Sequence, residues 1–349
     1  MLAKVKSFFG VQDMTVGSPM EGLLKFSIPL LIGNLAQQLY NTVDSIIVGK
    51  YVGDVALAAV GTAGPILNLL LVLFMGVATG ASILCAQYFG AKDREQLNSA
   101  VGSTILLVFV TGIIMTVVGY FASPALIAMV TPPAEVAPGA VTYLQIIFIG
   151  ILGGGMYNIL CGVLRGMGDS IYPLLYLILA SLLNIVLDLV FVRNFGMGVA
   201  GVAWATIIAQ GISGVLCLIR LCRMKDTVDV NRQTLRPNKD MMLRLTKLGL
   251  PAGVTQAIFS LSAIVVQSLT NSLGTAVIAT SVAVMRVDGF AMMPNFTFGT
   301  AATTYAGQNI GARDLDRVHR GTKAMMMIAV SVATLLVCCI LLFGGGLIG

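Results

Sequence analysis

Apolar residues run along this chain in long blocks. Nine of them, roughly 23–49, 55–82, 99–120, 138–164, 171–192, 198–222, 243–271, 276–308 and 322–345, are long enough to cross a bilayer as helices, which takes about 20 predominantly apolar residues each. The short alternating segments of a membrane barrel are absent from the pattern. The blocks therefore predict an all-α integral membrane protein. Inside them, polar residues recur at helical spacing. Asn34, Gln37, Asn41 and Asp44 follow i, i+3, i+7 and i+10 in the first block, and Ser181, Asn184 and Asp188 follow i, i+3 and i+7 in the fifth. The sixth carries Thr206, Gln210 and Ser213. Such spacing gathers side chains on one helix face.

Chain direction alternates from span to span, so depths can be compared. Asp44 lies five residues before the outer end of its span, Asp188 about four, and Thr206 about eight after the outer start of its own. At about 1.5 Å per residue, all three are expected in the outer half of the membrane, facing one pocket. A charge at mid-membrane costs at least about 2.5 kcal/mol, and a neighbouring acid adds repulsion. Asp44 and Asp188 are thus read as taking up a proton, or sharing a cation with the Asn and Thr oxygens. For Gln37, Asn41 and Ser181, plain hydrogen bonding between helices is an equal reading. Pro29, fifteen residues before Asp44, frees a backbone carbonyl and marks a hinge or a fixed bend.

Self-similarity divides the chain. AQYFGAKD (Ala86–Asp93) recurs as GQNIGARD (Gly307–Asp314), 221 residues later. GDVALAAVG (Gly53–Gly61) matches GTAVIATSV (Gly274–Val282) at the same offset, and FSIPLLIGN (Phe26–Asn34) matches KLGLPAGVT (Lys247–Thr255) with one residue of slip. Six spans precede the second copy. An even number gives both copies one orientation, as in parallel-repeat transporters. The expected organisation is a six-helix bundle over 1–222, a basic linker over 223–242, and a second bundle over 243–349 with about three of an expected six helices. The chain then reads as C-terminally truncated. In the second copy, Gln256, Ser260, Gln267 and Asn271 share a face, and no acid recurs at the Asp44 position. Arg286 and Asp288 follow in the next span, among Met285, Met292, Met293, Phe290, Phe296 and Phe298. Asp288 is read as paired elsewhere or as a second site, and the Met and Phe surface as packing or a soft apolar contact for ligands. The GxxxG pairs Gly76/Gly80 and Gly162/Gly166 predict close helix packing.

Composition narrows the function. The chain is 57% hydrophobic and 10% charged, with a net charge of +6. Eighteen of the 21 Lys and Arg lie in or beside one alternate set of connections, so the positive-inside rule places the N-terminus in the cytoplasm of a multi-pass cell-membrane protein. The basic charge sets topology and gives no case for nucleic acid. His319 is the lone histidine, and no GxxxxGK phosphate loop occurs; ATP, a catalytic metal and an enzymatic role are therefore not expected. The six cysteines sit in or beside apolar blocks without CxxC spacing, and are read as packed free thiols.

QQLYNTVDSIIVGKYVGDVALAAVG (Gln37–Gly61), GVLRGMGDSIYPL (Gly162–Leu174), NIVLDLVFV (Asn184–Val192) and AGQNIGARD (Ala306–Asp314) resemble the multidrug and toxic-compound extrusion (MATE) family, in its DinF-like prokaryotic type. The resemblance implies a secondary antiporter of two six-helix lobes that exports organic, often cationic, compounds in exchange for protons or sodium, without a cofactor. It implies a first-lobe ion site at Asp44, Asp188, Asn184 and Thr206, with Tyr143 lining the cavity and Pro29 at the bend of the first helix. It also departs from members with second-lobe acids, since Gln256 stands near an expected glutamate. Two other readings accompany this one: a lipid or polysaccharide flippase of a related branch, and a non-transporting partner of a longer relative.

Overall fold

A computed structural model describes residues 11–130, 133–231, 233–272 and 275–348. Among the described residues the apolar blocks form nine α-helices: α1 Pro19–Tyr51, α2 Asp54–Gly90, α3 Arg94–Val130, α4 Ala137–Gly166, α5 Ile171–Asp188, α6 Gly198–Arg223, α7 Lys239–Ser272, α8 Thr275–Gly311 and α9 Leu315–Ile348. No strand occurs among the described residues. Among the described residues, five stretches meet the length and composition needed to cross a membrane: α3, α4, α5 with its extension to Asn194, α6, and Leu315–Cys338 of α9. α1 falls short because Asn34, Gln37, Gln38, Asn41 and Asp44 dilute its apolar residues.

The helices overrun the apolar blocks, and their polar ends explain why. Asp93 Oδ1 accepts from the Gln96 N–H at 3.1 Å at the start of α3, and Asp314 Oδ1 accepts from the Arg317 N–H at 2.8 Å at the start of α9. Each is an N-terminal cap. The residue before each cap, Lys92 and Arg313, adopts positive φ (55° and 60°). The repeated GAKD and GARD are thus one tight corner used twice.

α4 forms the centre of the first six helices, packing on α2, α3 and α6. Leu144, Phe148, Ile159, Leu160 and Leu164 are fully buried there. α1 packs mainly on α5, α8 and α9 and meets α2 less extensively, joining this core through Val48 near its end. The repeat appears as reciprocity: α2 packs on α7, and α1 packs on α8. A Cβ at Gly90 would meet the Gln308 carbonyl, and one at Gly311 would meet that of Gln87. These are equivalent positions in the two copies, so α2 and α8 cross about a pseudo-twofold axis at their C-terminal ends. Gly76 and Gly80 lie against Leu245, Gly249 and Gly253 of α7, and Gly162 and Gly166 against Ala78 and Ser82 of α2. Both GxxxG pairs therefore serve close backbone approach.

The connection from α6 to α7 folds back on α3. Arg94 donates to the Lys225 carbonyl and to Asp229 (2.8 Å), Asn98 accepts from the Asp229 N–H (2.8 Å), and Asn238 donates to Ser99 (3.1 Å). α7 begins at Lys239, inside the stretch expected as linker. One expectation is corrected: Cys85, Cys161 and Cys217 are buried, whereas Cys222 and Cys338 are exposed. Those two lie on outward helix faces, where a weakly polar thiol is tolerated.

Candidate functional site: a paired-carboxyl pocket

Four helices deliver polar groups to one level. α1 brings Tyr40 and Asp44, one turn apart; α5 brings Asn184 and Asp188, also one turn apart; α4 brings Tyr143 and α6 brings Thr206. Counting to the ends of their helices, with α5 continued by its π segment, Asp44, Asp188, Thr206 and Tyr143 sit six to eight residues in, about 9–12 Å.

The carboxyl groups of Asp44 and Asp188 lie within hydrogen-bond reach of each other. Asp188 is fully buried and Asp44 half-buried. Asn184 is buried beside them. With its nitrogen turned to the acid, it donates to Asp188 Oδ2 at 2.8 Å, and its oxygen accepts from the Thr206 N–H at 3.1 Å. Thr206 Oγ1 donates to the Val202 carbonyl at 3.0 Å. The Tyr40 hydroxyl lies beside Thr206 and near Asp44, and Tyr143 lies near both acids.

One oxygen of each acid, Asp44 Oδ1 and Asp188 Oδ1, is buried without a hydrogen-bond partner among the described residues. Two carboxylates in contact repel unless a proton or a cation sits between them. The pocket offers such a cation two acid oxygens, with amide and hydroxyl oxygens nearby. Hard oxygen donors suit an alkali cation rather than a thiophilic metal. No group of three or more His, Cys, Asp or Glu is placed to hold a metal among the described residues.

The other expected residues fall elsewhere. Asn41 is exposed and accepts from Gln37 Nε2 at 3.5 Å, and no hydrogen bond joins it to either acid. Asn34 donates to Thr297 of α8 at 2.8 Å. The polar face of α1 is therefore divided, its inner part turned to α8 and its outer part to α5. Pro29 is buried within an uninterrupted α1. Gln256 is half-buried on α7, while Asp288 and Met292 are exposed on α8, away from the acid pair in sequence and element. The side chains of Arg286, Gln267, Asn271, Met285 and Phe290 lie outside the described residues.

Two features were missed by sequence reasoning. Tyr40 lies one turn before Asp44 on the same face, so its spacing was a usable signal. The second is a π-helical segment, Leu189–Asn194, immediately after Asp188. Widened turns of this kind recur at functional sites, and no residue type in LVFVRN announces one.

Long apolar helices around a buried, ionisable pocket define a polytopic membrane protein of the transporter class, and the comparisons give its family. The chain belongs to the MatE family, which it matches over residues 29–190 and 251–349; its members are transporters, not enzymes. It is similar to the probable multidrug resistance proteins YpnP and YoeA of Bacillus subtilis. It is 33% identical to YpnP over 88% of this chain and 68% of the relative, and 31% identical to YoeA over 84% and 65%. The chain thus spans about two thirds of the length of these relatives. Among solved structures, it is similar to an outward-facing multidrug resistance MATE family transporter of the MOP superfamily, with TM-score 0.89 and 28% identity over 97% of this chain and 75% of that one.

Proposed function

We propose that this protein exports small organic, cationic compounds across the cell membrane, driven by inward movement of protons or sodium. Two lobes, 1–222 and 243–349, alternate access about the pseudo-twofold axis, and residues 223–242 join them on the cytoplasmic side. The N-terminus is cytoplasmic. The observation that carries this reading is the pair of orphaned carboxyl oxygens at Asp44 and Asp188. The names of YpnP and YoeA, probable multidrug resistance proteins, support drug-like small molecules as the substrates.

In this reading a cation entering from outside neutralises the acid pair, with Asn184, Thr206 and Tyr143 completing the pocket. The same event changes the packing of α1 on α5 and α8 through Pro29, which weakens substrate binding. A membrane potential of 100 mV contributes about 2.3 kcal/mol per charge moved, equivalent to about a 50-fold concentration bias. No cofactor or ATP takes part.

Asp44→Asn keeps the shape and removes the charge. In membrane vesicles given an imposed proton or sodium gradient, export of a cationic dye by the D44N protein is expected to fall to background. Gradient-driven export at the parental rate would defeat the coupling mechanism.

A further inference from the structure

The turn between α4 and α5, the ends of α8 and α9, and the segment before α1 meet on the basic face. That segment, Gln12–Gly17, is bound on both sides of the seam between the lobes. On the first lobe, the Gln12 N–H donates to the Gly168 carbonyl at 3.0 Å. On the second, the Met14 N–H donates to Gln308 Oε1 at 2.8 Å. Arg317 then takes the carbonyls of Gly17 (2.9 Å), Met14 (3.0 Å) and Val16 (3.2 Å), and donates through Nε to Asn309 at 3.0 Å. Gln308 is fully buried and its Nε2 donates to the Gly166 carbonyl at 3.1 Å, so one side chain ties α8 to both the segment and α4. The Met14 side chain, 2% exposed, is packed with Phe26 and Phe298 across the α1–α8 contact.

Three points separate this from ordinary loop packing. First, the guanidinium makes no ion pair among the described residues, and its bonds in this cluster run to three strap carbonyls and one amide oxygen. Charge-assisted bonds to fixed carbonyls specify position strongly. Second, the anchors belong to opposite lobes, so no rocking of one lobe on the other leaves them all intact. Third, the contacts between lobes at Gly76, Gly80, Gly90 and Gly311 lie in the same half of the helices, opposite the acid pair.

We propose that Gln308 and Arg317 are positioning residues of a latch. They hold the Gln12–Gly17 strap across the seam and keep the basic face shut, and the strap must release as a unit for the lobes to exchange access. This rests on the alternating-access reading above.

The test places a cysteine reporter at Ala301, a fully buried α8 position beside the α1–α8 contact, in the full chain reconstituted in liposomes. A membrane-impermeant maleimide is supplied to the basic face, and labelling at 301 is read by peptide mass. Arg317→Ala and Gln308→Ala are each expected to raise the labelling rate at least tenfold over the parent, while the buried Cys161 stays unlabelled. A tenfold rise at Cys161 as well would mean general unfolding and overturn the assignment for that variant. Unchanged labelling at 301 in the variants that remain monodisperse would overturn the latch. Should neither fold, Gly168→Ala, which drives a methyl into the Gln12 carbonyl, tests the opposite anchor by the same readout. Labelling needs no substrate, so its failure leaves the transport reading standing. Absence of gradient-driven export by the parent, with the tenfold rise intact, strikes transport alone.

Discussion

Asp169, in the turn between α4 and α5, has no exposed surface, and Arg220 donates to its Oδ2 through Nε (3.2 Å) and Nη2 (3.0 Å). The guanidinium also stacks 3.7 Å from the centroid of the Tyr172 ring, a favourable cation–π distance. Burial pushes the Asp169 carboxyl above its ordinary range, and Arg220 with nearby backbone N–H groups offsets only part of that rise. A folded-state value above the unfolded one means the folded protein binds the proton more readily. This group's contribution is therefore present at acid pH and lost as pH rises through the folded value. Arg220→Ala removes the largest opposing charge and leaves a buried carboxylate unpaired, at the lower end of about 3–5 kcal/mol, since the Arg220 side chain keeps 20% exposure. The variant is expected to lose stability at pH 7.5 and recover part of it at pH 5, by a larger margin than the parent. Thermal unfolding at the two values checks it. Residues such as Asp44 and Asp188 were legible beforehand because a carboxylate in an apolar block is costly enough to demand a reason. Tyr40 was legible only through its spacing, one turn before Asp44, since tyrosine by itself is unexceptional in a membrane helix.

At the scale of elements, the corner shared by α2–α3 and α8–α9 is decided by small residues. Gly90 and Gly311 allow two helix ends to cross with backbone against backbone, and Asp93 and Asp314 cap the helices that follow. Gly90→Val sets a branched side chain against the Gln308 carbonyl. Overpacking of this kind costs about 1–3 kcal/mol, so a lower unfolding temperature is expected, with a smaller change for the same substitution at Gly61, whose Cβ position is open. Equal losses at both positions would rule out the crossing as the cause. The two copies of this corner could be matched in the sequence because each is local. Its function in bringing the repeats together could not, because Gln87 and Gly311 are neighbours only after α2 and α8 have crossed.

For the whole molecule, the proposed orientation rests on the distribution of basic charge. Cysteines at Arg236 and Asp316 are expected to react with an impermeant maleimide only after cells are opened, and one at Phe195, exposed beyond α5, in intact cells. The reverse pattern would invert the topology and place the acid pair toward the cytoplasm.

What the chain by itself determined is one-dimensional. Each apolar block had to become a helix, because lipid supplies no partner for a free peptide group. Basic connections predict an orientation, and the 221-residue offset marks two copies of one unit. Packing alone decided which helices touch. It set two carboxyls side by side from residues 144 positions apart, turned Asn34 toward α8 and away from them, and gave Arg317 carbonyls some 300 residues distant. Periodicity assigns a side chain to a face of its own helix; only the folded arrangement decides what that face meets.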